Sequence, residues 1–367
     1  MSELNTKEKI DIIQENIKHM EEKTFNVYFF VLDTKGNPSG SLEYIYETAY
    51  LLKERGYNVS MLHQDNEFVG VCDWLGEKYS ELNHYNVETD NVEIKASDFL
   101  FIPDILSNVM VQTKTLPCKR VLLVQNYNHL AEFMPIGATP DMLNVYDIIT
   151  TTATQAEILK KWFPRNKVSI VEPYINNIFR RKNENRNLVI NIIAREQSDV
   201  NRIIKEFYWS YPMYKWISFR DLRGMSHEML YEALNDGILT IWVDENTNFG
   251  YTALQALRCG SMVLAKLPKT LPDWCVVEND DEKEMTKACL WFDDMNSLPQ
   301  MIASIVRSWT MDEIPEEAYE NISLMDEKYN KDAFVNNTTK VYGDLFDHRK
   351  TEFEQVLTLF KNKETEE

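Results

Sequence analysis

The chain has 367 residues, 44% of them hydrophobic, 12% aromatic and 26% charged, with a formal net charge of -19. That length favours two domains, and the composition is that of a soluble globular protein. Broad, non-specific nucleic-acid binding and tight docking on anionic lipid both need a basic face, so the acidity argues against them.

The first 23 residues, MSELNTKEKIDIIQENIKHMEEK, lack the apolar core of a signal peptide. Ile10, Ile13, Ile17 and Met20 recur there at helical spacing, predicting a helix from Lys7 to Lys23 with one face packed. No apolar run reaches the roughly 18–20 residues of a membrane span, so the expectation is a cytoplasmic protein with no membrane insertion. FNVYFFVLD, Phe25–Asp33, is a continuous apolar run of strand length, as in a parallel sheet covered on both faces. TKGNPSGS then reads as a loop, LEYIYETAYLLKERG as a helix stopped by Gly56, and YNVSMLH as a second strand, completing a βαβ unit. DFLFIPD, RVLLVQN, DIITTT and KVSIVEPYIN continue the alternation. The polar stretch Arg180–Asn187 is the best domain boundary. The pattern restarts with the strand LVINIIA, the helix QSDVNRIIKEFYWSYP and the strand KWISFRD. SHEMLYEALND follows as a helix with Ser226 as N-cap, then the strand GILTIWVDE, the helix YTALQALRCG and the strand SMVLAKLP. The tail, Glu316–Glu367, is charged and helical in pattern. The fold class expected is α/β, with two Rossmann-like domains.

The five cysteines, Cys72, Cys118, Cys259, Cys275 and Cys289, form no CxxC pair and no zinc-spaced cluster. They are expected to be reduced and mostly buried. In open α/β sheets ligands bind beyond the carboxyl ends of the strands, so candidate chemistry is sought in the loops there. GNPSGS, Gly36–Ser41, offers Gly40 and Ser41 at a helix start that attracts anions. It is neither a GxGxxG fingerprint nor a Walker loop, and it also reads as an ordinary turn. VQNYNHL, Val124–Leu130, places Gln125, Asn126 and His129 after a strand, with His129 the best-placed histidine for proton or sugar-hydroxyl contacts. Arg195 follows the first strand of the second half and suits a phosphate clamp. Arg202 and Lys205 lie nearby, or else belong to a solvated helix face. NFGYT sets Phe249 and Gly250 before a helix, where the amides of Gly250, Tyr251 and Thr252 would meet a ligand anion, with Asp244 and Glu245 ending the preceding strand.

Taken together, the GNPSGS loop, TTTATQAEIL, KVSIVEPYIN, the strand-ending arginine and DENTNFGYTALQALRCGSMVLAK resemble the GT-B glycosyltransferases. The closest likeness is to the retaining, glycogen-synthase-like and lipopolysaccharide-type class (glycosyl transferases group 1). The resemblance runs from about Asn26 to Ile314 and is stronger in the second half. It implies two Rossmann-like domains facing across a cleft, with the final helix crossing back to the first. The domains expected are 1–178 plus the helix 335–367 for the acceptor, and 179–334 for the donor. Burial is expected for Phe334, Val341, Leu345 and Phe353. In that class two glutamates flank the Phe-Gly turn with seven residues between them. Here those positions are Thr247 and Gln255, so the spacing survives and both acids are gone. The resemblance makes Gln255 the ribose contact and Arg195 the diphosphate contact. The usual lysine partner falls near Ser198, so that charge is either missing or supplied by Arg202, Lys205 or Arg220.

The function implied is transfer of a sugar from a nucleotide-diphosphate donor, UDP-sugar favoured, to an acceptor hydroxyl with retention. His129, Asn126, Asp244 and Thr247 would lie at the sugar. Gly40, Ser41, Arg195, Arg220, Phe249, Gly250, Tyr251, Thr252 and Gln255 would bind the donor. No metal or cofactor is called for. The missing glutamates motivate an alternative, a catalytically inactive binding or structural module on the same scaffold. The acceptor is open between a glycan, a protein and a hydroxymethylated phage DNA base, the last resting on a basic strip of Arg120, Lys160, Lys161 and Arg165.

Overall fold

The computed structural model describes residues 6–182, 186–279, 282–311 and 328–366. Asn183–Asn185 of the expected boundary and residues 316–327 of the expected helical tail lie outside the described residues. The chain divides into two compact units, one comprising residues 1–151, 155–172 and 335–367, the other 152–154 and 173–334.

The first unit holds β1 (Asn26–Phe30), β2 (Asn58–His63), β3 (Asn83–Asn86), β4 (Phe99–Pro103), β5 (Lys119–Val124), β6 (Asp147–Thr150) and β7 (Lys167–Ile170). They form one parallel sheet in the order β3-β2-β1-β4-β5-β6-β7. The apolar runs pack as their patterning requires. Val27 and Phe29 of β1 and all of Phe99–Ile102 are fully buried, because helices cover both faces of such a sheet. The long helix Lys331–Glu366 begins in the second unit and continues into the first. There Phe346 meets Phe25 and Phe99, and Tyr342 meets Phe29 and Phe101. Phe334, Leu345 and Phe353 are buried as expected, whereas Val341 is half-buried and its neighbour Tyr342 takes the interior position. The helix Thr6–Glu21 buries Ile10, Ile13, Asn16 and Met20.

The second unit contains β8 (Asn187–Ala194), β9 (Ser218–Asp221), β10 (Gly237–Val243), β11 (Met262–Lys266), the antiparallel hairpin β12 (Val276–Asn279) and β13 (Glu282–Met285), and β14 (Cys289–Phe292). Its main sheet is parallel, in the order β14-β11-β10-β8-β9. Ser226 caps the helix His227–Asp236 by accepting from the Met229 amide. The apolar faces of two helices, Gln197–Ser210 and Leu298–Thr310, close one side of the sheet. Each sheet reverses its strand order once, between β1 and β4 in the first and between β8 and β10 in the second. In open α/β sheets ligand crevices lie beyond the carboxyl ends of the strands at such reversals.

Candidate functional site

In the first unit the reversal brings together the segments after β1, β4 and β5. Asp104, which directly follows β4, is 3% exposed. Its Oδ2 accepts the Gln125 and Asn126 amides at 2.8 and 2.6 Å, and its Oδ1 accepts the Ile105 amide at 2.7 Å. Oδ1 also stands 3.1 Å from Nδ1 of His129. A carboxylate only accepts, so the Nδ1 proton is the one directed at Asp104, which leaves Nε2 as the ring nitrogen turned away from that carboxylate. Asn126 caps the helix Tyr127–Phe133, its side-chain oxygen accepting from the Asn128 amide. Gln125 reaches across to the carbonyl of Ser41 at 3.1 Å. The structure brings the expected His129, Asn126 and Ser41 together at one sheet edge. It missed Asp104, because an aspartate after an apolar strand shows its partners only when β4 and β5 lie side by side. Gly40 and Ser41 open the helix Gly40–Glu54, whose first turn is already capped by Ser39. The left-handed glycine of that loop is Gly36.

At the second reversal the register pairs Ala194 with Val243, so the residues that follow, Arg195 and Asp244, come out side by side. Their ion pair is 3.2 Å long, with the Arg195 side chain 50% exposed. The same edge carries Arg223 against Asp221 and Lys266 between Glu245 and Asp293. These cations are interleaved with carboxylates, an alternation the sequence reading did not foresee beyond Arg195 and Asp244. Thr247 is half-buried, its amide 3.5 Å from the carbonyl of Asp244. Among the described residues no group of three or more His, Cys, Asp or Glu side chains is placed to hold a metal ion.

The Phe-Gly turn is fixed by tryptophan. Gly250 is the N-cap of the helix Tyr251–Arg258, in the left-handed conformation at φ 78°, and no side chain caps that helix. A Cβ on Gly250 would stand 2.9 Å from Trp242 and 3.3 Å from Trp274. The glycine is thus required by its left-handed backbone and by two indole rings. The Trp274 indole donates to the Phe249 carbonyl, and Phe249 packs edge-on to Tyr251 and Tyr329. The Tyr251 and Thr252 side chains remain half-buried at the start of the helix. Gln255, one turn on, is 2% exposed, and its side chain makes no hydrogen bond to another described residue.

Two expectations meet contrary geometry. Arg220 is not brought to this edge. Its guanidinium binds Asp236 at 2.6 Å and the Ala233 carbonyl, and Asp236 precedes β10 whereas Asp244 follows it, so the strand's length separates them. Arg120 cannot belong to a surface strip. It is 3% exposed, and it donates to the carbonyls of Met110, Leu143 and Asn144. Arg165 pairs with Asp141. Arg202 is engaged with Glu206 along its own helix. The cysteines are all free, four of them buried, and burial pushes the Cys118 and Cys259 thiols up to about 12.

This architecture matches solved structures along nearly its whole length. The sucrose-phosphate synthase of Thermosynechococcus elongatus superposes with a TM-score of 0.61 at 12% identity, over 88% of this chain and 100% of that one. The pneumococcal O-GlcNAc transferase GtfA, in complex with UDP and GlcNAc, gives 0.63 at 8% over 89% and 99%. Anabaena HepE, in complex with UDP-glucose, gives 0.59 at 9% over 87% and 99%. The chain has the GT-B fold. At these identities the likeness is one of fold. No family model matches the sequence, and no curated protein does. In GT-B terms, Arg195, Asp244 and the Phe-Gly turn belong to the second sheet, and the Asp104–His129 pair to the first. No helix among the described residues is long and apolar enough to cross a membrane.

Proposed function

We propose that this chain is a glycosyltransferase that moves a sugar from a nucleotide-diphosphate donor, UDP-sugar favoured, to an acceptor hydroxyl. The observation that carries the reading is that each sheet of a GT-B fold carries polar and charged residues at its reversal point. In the second unit Arg195 offers a paired-donor clamp for the diphosphate. The uncapped first turn after Gly250 offers amides to the same anion. Gln255, buried with its amide unused, is suited to the ribose hydroxyls. UDP is favoured because similarly folded structures hold it. No step needs a metal in this reading, because leaving-group charge falls on Arg195 and the helix amides.

Two stereochemical courses follow. Retention is what the resemblance to the retaining class implies. The acceptor oxygen then attacks C1 from the face that the diphosphate leaves, and the departing diphosphate oxygen takes the proton. The Asp104–His129 pair favours a second course. Nε2 removes the acceptor proton as the oxygen attacks C1 from the opposite face, the C1–O bond to the diphosphate breaks, and the product is inverted. Proton NMR of the product anomeric signal, with UDP release followed in parallel, separates these courses. The inactive-module alternative, a binding or structural role, predicts that UDP-sugar yields no released UDP, whatever glycan, protein or hydroxymethylated DNA acceptor is offered. Loss of the buried Arg120 from the basic strip weakens the case for the DNA acceptor.

A further inference from the structure

The first sheet has a second opening, at the amino ends of its strands. A cavity of about 370 Å³ lies there, within the first unit alone. That volume falls in the range of small-molecule sites, roughly 300–1,000 Å³. Residues two apart on a strand share a face. Asn26 and Tyr28 of β1, Asn58 and Ser60 of β2, and Asn83 and Tyr85 of β3 all line the cavity. The register sets Asn26 beside Asn58, Tyr28 beside Ser60, and Ser60 beside Asn83. At its amino end, one face of three adjacent parallel strands is therefore built of carboxamides, a hydroxyl and phenols, before it turns apolar at Phe30 and Leu62. Apolar side chains are the rule on a sheet of this kind.

Two of these residues keep their hydroxyls open to the cavity. Tyr28 is 6% exposed and Ser60 8%, both line the cavity, and neither oxygen is among the atoms closed off from the surface. No hydrogen bond ties either hydroxyl to another described residue, so both can donate to and accept from a polar partner that arrives there. Asn26 spends its side-chain amide on Asp98, which leaves its carbonyl oxygen for a hydroxyl donor. The rim is not built for an anion. Lys53 is tied to Glu81 at 3.2 Å, and Glu93 adds a further carboxylate.

We propose that this cavity binds an uncharged saccharide unit, held by the Tyr28 and Ser60 hydroxyls and by the carboxamides of Asn26, Asn58 and Asn83, with Tyr85 as an aromatic wall. The site is separate from the reversal-point residues Asp104 and His129, which lie beyond the carboxyl ends of β4 and β5 in the same sheet, and it does not depend on the donor reading. The test is isothermal titration and saturation-transfer difference NMR on the full chain, with glucose, N-acetylglucosamine and maltotriose as probes. Tyr28→Phe and Ser60→Ala each remove one oxygen, and Asn83→Trp blocks the mouth from an exposed position. Wild type is expected to bind at least one probe with a Kd of about 1 mM. Either oxygen deletion should weaken it roughly tenfold, and the tryptophan variant should abolish it. The trisaccharide tells a glycan chain from a free sugar, since a chain binds at least as tightly as glucose and a single-unit pocket excludes it. UDP binding, measured on the same samples, should be unchanged, which separates a failure here from a failure of the donor reading. Absence of saccharide binding by wild type, or binding that all three variants retain, would overturn the proposal.

Discussion

The two reversal points solve the same positioning problem with different materials. In the first unit a single buried carboxylate, Asp104, organises the edge. It holds three backbone amides and one imidazole, so charge is spent inside the protein to orient one base. In the second unit the charges stay nearer solvent as ion pairs such as Arg195–Asp244, while the rigidity comes from below, where Trp242 and Trp274 clamp Gly250. The difference teaches that orientation and affinity are handled separately. The first edge is held by one buried carboxylate; the second rests on an apolar base and keeps its cations paired with carboxylates nearer solvent.

The sharpest break in this contrast is Gly250→Ala. The new Cβ meets Trp242 at 2.9 Å in a backbone region that alanine avoids, so a destabilisation of about 3 kcal/mol is expected in urea unfolding. A near-neutral result would show that the tryptophan base yields. Next comes Asp104→Ala, which strips the acceptor from the Gln125 and Asn126 amides. A loss of roughly 2–3 kcal/mol is expected, together with at least a hundredfold loss of turnover through His129. His129→Ala should reproduce the kinetic loss while changing stability by less than about 1 kcal/mol.

Arg195→Ala should behave in the opposite sense. Half-exposed ion pairs contribute little, so stability should move by less than about 1 kcal/mol, while UDP affinity measured by titration should fall roughly tenfold. The smallest effect concerns pH. The Arg220 guanidinium beside Asp236 holds its carboxyl below the usual 3.8. A carboxyl lowered on folding stabilises above its unfolded value and loses that contribution as pH falls through the folded one. Solvent screening at this partly exposed pair limits it to roughly 0.5 kcal/mol. Arg220→Gln should therefore narrow its stability gap to wild type below about pH 4, as read by urea unfolding across pH.

Much of the fold was legible because parallel strands buried on both faces must be apolar runs. FNVYFFVLD, DFLFIPD, RVLLVQN and GILTIWVDE all became strands of the two sheets. β3, with the sequence Asn-His-Tyr-Asn, was not legible, since an edge strand that lines a polar cavity carries no apolar run. The site was half legible. His129, Arg195 and the Phe-Gly turn follow strands and can be placed by topology alone. Asp104 and Trp274 act on backbone groups about 20–25 residues away in sequence, and only tertiary packing brings those groups to them. The reason for Gly250 was likewise hidden, because a glycine in sequence does not say whether a ligand or a ring fills the space a Cβ would need.

The most direct test of the account is titration of UDP into wild type and Arg195→Ala, with melting temperature and heat recorded together. The account predicts that UDP binds wild type, raises its melting temperature, and binds the variant roughly tenfold more weakly. Failure of UDP, and likewise of GDP, ADP and CDP, to bind wild type would contradict it, as would UDP binding that Arg195→Ala leaves unchanged.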